Sequence, residues 1–171
     1  FEPHPRTVFK PDAPVYRLSP AVLKAKVLAA MGIGGVVELT FDKAFSSQSA
    51  QSFVDDVLLG LLDACHVVTG YDFHFGKGRA GSPEFLLAAG QSAGFGVTVV
   101  EAQNDEGGDI VSSSRVRGAL EKGDVPLAAG LLGYRPLITG TVVKGAQLGR
   151  QLGYPTANIE LPDNTQLKHG I

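Results

Sequence analysis

Three short, mostly apolar runs at residues 36–41, 64–69 and 96–102 carry no period-two alternation. A strand that is apolar on both sides needs cover on both faces, which is where the strands of a helix-flanked parallel sheet lie. Helical patterns separate the runs. Val22, Leu23, Val27, Leu28 and Met31 give one apolar face, opened by Ser19-Pro20 under the cap-then-proline rule and closed by Gly32. Phe53, Val57, Leu58 and Leu61 mark a second helix over 50–62, and Ser82-Pro83-Glu84 caps a third that runs to about Ala93. A fourth starts at Ser112 and ends near Gly123, and a short one covers 125–132. This alternation predicts an α/β fold, a doubly wound parallel sheet. Ligands of such sheets bind at the carboxyl ends of strands. The loop over 70–81 and the Ser112 turn both leave strand ends, so one cleft is expected to contain both.

After Gly133 the pattern changes. Residues 137–143 read as a strand rich in β-branched side chains, followed by a polar loop with Gly145, Gly149 and Gly153 at every fourth position. No helix is expected there. The boundary is placed so that 1–134 form one module and 135–171 begin a second, β-rich one. A net charge of −2 gives no global basic field, so nucleic acid is not an expected partner and any phosphate binding must be local. The single cysteine, Cys65, rules out an intramolecular disulfide and suits a reducing, cytoplasmic compartment. No apolar run reaches membrane-spanning length, so no membrane partner is expected. Phe1 reads as the end of a strand and Ile171 follows Gly170 without a stop signal, so the chain reads as part of a longer protein. Oligomeric state is not legible.

Three stretches could carry chemistry. Ser112-Ser113-Ser114 sit where a helix cap belongs, with Arg115 and Arg117 on the same turn. Unpaired amides at a helix start, hydroxyls and guanidinium forks suit a triphosphate; an ordinary capped helix with solvated arginines would show the same letters. In the second stretch, Tyr71, Phe73 and Phe75 surround Asp72 and His74, and the glycines at 70, 76, 78 and 81 let backbone approach a ligand. Aromatic faces suit a flat heterocycle, although phenylalanines anchoring a glycine-rich surface turn fit equally. In the third, Thr156 and Asn158 alternate, so an extended segment puts both on one side. A hydroxyl and an amide oxygen there could ligate Mg²⁺, which keeps most of its waters and bridges to phosphate. The lysine that ends a P-loop is missing. His4, held between two prolines, reads as part of a stiff loop.

Taken together, these residues resemble the bacterial bifunctional riboflavin kinase/FAD synthetase family. Phe1-Glu2-Pro3-His4-Pro5 is similar to its Pro-His-Pro turn, and residues 70–79 to its Gly-x-Asp/Asn-Phe-x-Phe-Gly loop. Residues 111–117 resemble its Ile-Ser-Ser-Thr-x-Ile-Arg motif, with Ser114 in place of the usual threonine. Residues 149–158 resemble the kinase flap and its Pro-Thr-Ala-Asn motif. The resemblance implies a Rossmann-like nucleotidyltransferase followed by the start of a β-barrel kinase module. The first module would transfer AMP from ATP to FMN, giving FAD and pyrophosphate. The second would phosphorylate riboflavin to FMN. Phe1, Phe53, Asp72 and Phe75 would form the flavin site. Ser112, Ser113, Ser114 and Arg117 would hold ATP, with Ser113, Ser114 and Arg117 acting as charge builds. Gly149, Arg150, Pro155, Thr156 and Asn158 would bind ATP in the kinase, with Mg²⁺ on Thr156 and Asn158.

The family's His-x-Gly-His would lie upstream of Phe1 and its catalytic kinase glutamate downstream of Ile171, so these 171 residues by themselves are expected to run neither reaction at a normal rate. Two alternatives stand beside this reading. One is another small-molecule adenylyltransferase of the same superfamily, against which the Pro-Thr-Ala-Asn segment argues. The other is a non-catalytic flavin- or nucleotide-binding fragment.

Overall fold

The computed structural model describes residues 1–161, 165, 167 and 168. In chain order they form helices α1 (Pro5–Phe9), α2 (Ala21–Ala30), α3 (Lys43–Ser46) and α4 (Ala50–Ser52), a π-helix (Phe53–Leu61), strand β1 (His66–Gly70), a 3₁₀ turn (Lys77–Arg79), helix α5 (Pro83–Ala93), strand β2 (Gly96–Val100), helices α6 (Ser113–Lys122) and α7 (Val125–Leu132), strand β3 (Thr141–Val143), helix α8 (Leu148–Gln151) and strand β4 (Asn158–Glu160). They divide into two compact units, each built from two stretches of chain. One joins Phe1–Phe9 to Glu38–Val111, and the other joins Lys10–Val37 to the chain from Ser112 onward.

In the first unit β1 and β2 pair in parallel, His66 opposite Gly96 and Gly70 opposite Val100. Parallel neighbours need a crossover rather than a hairpin, and α5 supplies it. The Ser82 hydroxyl caps α5 by accepting from the Phe85 amide at 3.3 Å, and left-handed Gly94 ends it. Gly90 is a matter of space: a Cβ there would lie 2.6 Å from the Phe95 carbonyl oxygen, so its absence lets α5 lie close against the chain that enters β2. The core gathers Phe53, Val54, Val57, Leu58, Phe75, Leu86 and Phe95. Each such side chain contributes roughly 1.5–3 kcal/mol by leaving water.

Residues 50–62 are helical as expected, but only Ala50–Ser52 is α and Phe53–Leu61 is wound as π. In this winding the backbone bond reaches back five residues, as from Leu62 N to Val57 O at 3.0 Å. The wider turn rotates the face: Val54 becomes fully buried, and Leu61, expected inside, is 59% exposed. The strand expected at 36–41 does not form. In this stretch only Thr40 finds a partner among the described residues, in a parallel bridge with Glu2, through Glu2 N to Leu39 O at 3.0 Å and Phe41 N to Glu2 O at 2.8 Å. Val36 and Val37 are exposed. A strand exists only where a neighbour takes up its amides, and among the described residues none does so along 36–38. The fold class is therefore α/β with a parallel sheet, two strands wide among the described residues. The Pro3–Pro5 turn continues into α1, with Pro5 at a first-turn position that needs no amide.

The second unit holds α2, α6, α7 and the β3–β4 ribbon. Pro20, not Ser19, occupies the cap position of α2, with no side-chain cap bond; the Ser19 hydroxyl instead lies 3.4 Å from that of Tyr134. Left-handed Gly123 ends α6, and the Asp124 carboxylate caps α7 by accepting from Leu127 N at 3.0 Å. β3 and β4 run antiparallel with Val143 opposite Asn158. The strand expected over 137–143 is thus confined to its last three residues, since β4 offers only three partners. A helical turn, α8, occupies the glycine-spaced loop where none was expected.

Glu84 carries an acid-side prediction. The Ser82 hydroxyl donates to its carboxylate at 2.6 Å, and this bond, then its own backbone amide, holds the carboxyl below its ordinary value. A folded value below the unfolded one adds stability above the ordinary carboxylate range and loses it as pH falls through that range. Ser82→Ala should therefore flatten the acid limb of a melting-temperature–pH profile. The step should be small because Glu84 is exposed.

Candidate functional site

The loop leaving β1 is pinned at several points. Tyr71 N donates to Val100 O at 2.9 Å, Phe73 N to Gly70 O at 3.2 Å, and Phe75 and Gly81 form an antiparallel bridge. A Cβ on Gly81 would lie 2.6 Å from the Phe75 ring, and Gly76, at φ 71°, lies directly against the start of α4. Lys77 N donates to Gln48 O at 2.7 Å. Asp72 is exposed on this turn. His74 Nδ1 lies 2.9 Å from the Asp72 carbonyl oxygen and 3.0 Å from Arg79 Nη2. A ring nitrogen serves one of them at a time, donating to the carbonyl when protonated and accepting from the guanidinium when not.

The phenylalanines nominated from sequence are joined through others. Phe53 and Phe75 meet at 5.0 Å between ring centroids and are buried in the core, with Phe73 stacked on Phe75 at 5.4 Å. Phe45 touches Phe53 at 6.4 Å and Phe1 at 5.5 Å, and Phe41 and Phe9 extend the row. Phe1, 38% exposed, is the partly open ring among the three nominated. Sequence reading missed Phe9, Phe41 and Phe45. A usable signal was Asp42, which caps α3 by accepting from Phe45 N at 2.7 Å and so fixes where that ring leaves the chain.

At the serine-rich turn, Ser112 is the cap, its hydroxyl accepting from Arg115 N at 3.3 Å. Ser113 and Ser114 are exposed on the first turn of α6. Arg117 does not point wholly to that turn: its Nε donates to the Tyr16 carbonyl oxygen at 2.8 Å. Burial pushes the Tyr16 phenol above its ordinary value, so it stays neutral. Val116, Ala119 and Leu120 bury the opposite side of α6. Ser112→Ala should cost about 1 kcal/mol in chemical denaturation, the usual worth of a serine cap.

In the ribbon, the glycine series meets the nominated magnesium ligands. An ideal Cβ on Gly145 would fall onto the Asn158 amide nitrogen, 2.8 Å from its Cγ and 3.1 Å from Oδ1. One on Gly149 would strike the Tyr154 carbonyl oxygen and lie 3.1 Å from Thr156 Oγ1. Tyr154 N donates to Gly149 O at 2.7 Å, folding the loop back on itself. Arg150 and Pro155 lie in the same exposed segment. The donor types suit a hard cation: Thr156 brings a hydroxyl beside Gly149 and Asn158 a side-chain amide beside Gly145. Among the described residues no three His, Cys, Asp or Glu gather around a metal position, so an ion here would keep its waters and rely on substrate phosphate, as Mg²⁺ does.

No helix among the described residues is long and apolar enough to cross a membrane. The chain is 40% identical over 161 residues to the bifunctional riboflavin kinase/FMN adenylyltransferase of Escherichia coli, covering 94% of this chain and 51% of that protein. It is 44% identical over 162 residues to the protein of the same name from Pseudomonas fluorescens, again covering 94% and 51%. The chain thus spans about half the length of the curated relatives it matches. A crystal structure described as a macrolide-efflux protein from Streptococcus pneumoniae superposes with a TM-score of 0.77 at 30% identity, covering 96% of this chain and 53% of that one. Residues 132–171 match the riboflavin kinase family, and with residues 1–115 matching the FAD synthetase family, the chain belongs to that family.

Proposed function

We propose that the protein carrying this chain makes FAD from riboflavin in two ATP-dependent steps. The first moves the γ-phosphoryl group of ATP to riboflavin, giving FMN and ADP. In the second, an FMN phosphate oxygen attacks the α-phosphorus of ATP, giving FAD and releasing pyrophosphate. The observation that carries this reading is the tandem of two family matches on one chain, 1–115 and 132–171. We place the module boundary at 134/135, close to where the second match begins, with a doubly wound nucleotidyltransferase before it and the start of a kinase barrel after it.

For AMP transfer, Ser112, Ser113 and Ser114 present hydroxyls and first-turn amides to the ATP phosphates, and Arg117 adds positive charge. Such a step needs positioning and electrostatic stabilisation more than covalent help. Phe1 faces the flavin, Phe53 and Phe75 back it from the core, and Asp72 contacts nucleotide or flavin. In the kinase, Gly149, Arg150 and Pro155 cover the ATP phosphates, and Thr156 and Asn158 would hold Mg²⁺. That ion, when bound, neutralises phosphate charge during transfer. The substrates are ATP, riboflavin and FMN, and the working compartment is cytoplasmic.

A substrate panel tests the reading. Full-length gene product with ATP and Mg²⁺ should release pyrophosphate with FMN and not with phosphopantetheine or nicotinate mononucleotide. Release with either of those and none with FMN would place the protein elsewhere in the superfamily.

A further inference from the structure

Gly145 and Gly153 belong to one glycine series, yet their surroundings differ. Gly153 has φ 84° and, among the described residues, nothing within 4 Å of where a Cβ would be, so it is glycine for its backbone conformation. Gly145 is not among the left-handed glycines, and any residue could adopt its backbone. Its constraint is space, and the atoms that come closest to filling that space belong to one group. All three heavy atoms nearest to a Cβ at 145 belong to the Asn158 side chain. The ribbon makes this contact local, because Val143 pairs with Asn158 and Gly145 lies two residues beyond.

We propose that Gly145 is a positioning residue for the kinase step: the missing side chain at 145 is the seat of the Asn158 amide, and the seat fixes where that oxygen meets the metal–phosphate group. Gly149 stands in a related place beside Thr156, but a Cβ there would also strike the Tyr154 backbone, so its replacement would disturb more than one ligand. At Gly145 the three nearest atoms all belong to a single side chain. The inference rests on the kinase reading above.

The test uses the full-length gene product and three variants, Gly145→Ala, Asn158→Ala and the two combined. Gly145→Ala should slow riboflavin phosphorylation by about a hundredfold, the scale of a 1 Å misplacement. It should also raise the Mg²⁺ concentration needed for half-maximal rate and leave FAD formation from supplied FMN unchanged. In thermal melts it should change stability little, because the exposed Asn158 side chain can swing aside, and any loss it does cause should disappear once Asn158 is alanine. Wild-type rate and Mg²⁺ dependence in Gly145→Ala would overturn the inference, as would equal destabilisation in both backgrounds. Failure of the wild type to make FMN from riboflavin would instead overturn the kinase reading, and the role of Gly145 with it.

Discussion

Gly76→Ala should destabilise the protein by roughly 3 kcal/mol or more, because backbone strain and a backbone collision add at one position. At φ 71° an L-residue is strained, and the added methyl would lie 2.6 Å from Ala50 N and 2.7 Å from Ala50 Cα. Backbone at the start of a helix cannot swing aside as a side-chain tip can. The loop would have to lift, taking the buried Phe75 ring with it and loosening its contact with Phe53. Gly78 is the control. It has φ 65° and open space around it, so Gly78→Ala should cost only about 1 kcal/mol of backbone strain. Equal losses for the two in urea denaturation would mean the contact with α4 is unimportant.

Asn158→Ala should remove riboflavin phosphorylation, lowering its rate by roughly a hundredfold or more, while leaving adenylylation of supplied FMN intact. On the proposed role, the substitution deletes the oxygen donor that Asn158 would offer Mg²⁺, and among the described residues no group of three or more His, Cys, Asp or Glu stands in for it. Asn158 is exposed at the start of β4 and pairs through its backbone with Val143, so its side chain carries little of the fold. Separate assays with riboflavin and with FMN, read by flavin chromatography, check this. Equal loss in both would mean that one shared site, not two, performs the steps.

What could be read from the sequence was mostly what is local. Ser82 with Pro83, Ser112 and Gly123 mark helix ends by chemistry that acts within one turn, and those helices stand where their letters put them. The strand at 36–41 fails because strand formation depends on a distant neighbour, and among the described residues only Glu2 bridges it. The π winding after Phe53 has no signature in a pattern of threes and fours, which is why Leu61 was placed on the wrong face. For the candidate sites, residue types were legible and meetings were not. The Arg117–Tyr16 bond spans 101 positions, and nothing in either neighbourhood announces it. The glycine series at 145, 149 and 153 was visible, but not that one member is needed for space and another for conformation.

The most direct test of the two-step account is a time course of the full-length gene product with riboflavin, ATP and Mg²⁺, with flavins separated by chromatography and pyrophosphate measured in the same samples. The account predicts that FMN rises first without pyrophosphate, and that FAD then appears with one pyrophosphate for each FAD. FAD formed without pyrophosphate, or no FAD even when FMN is supplied, would contradict it.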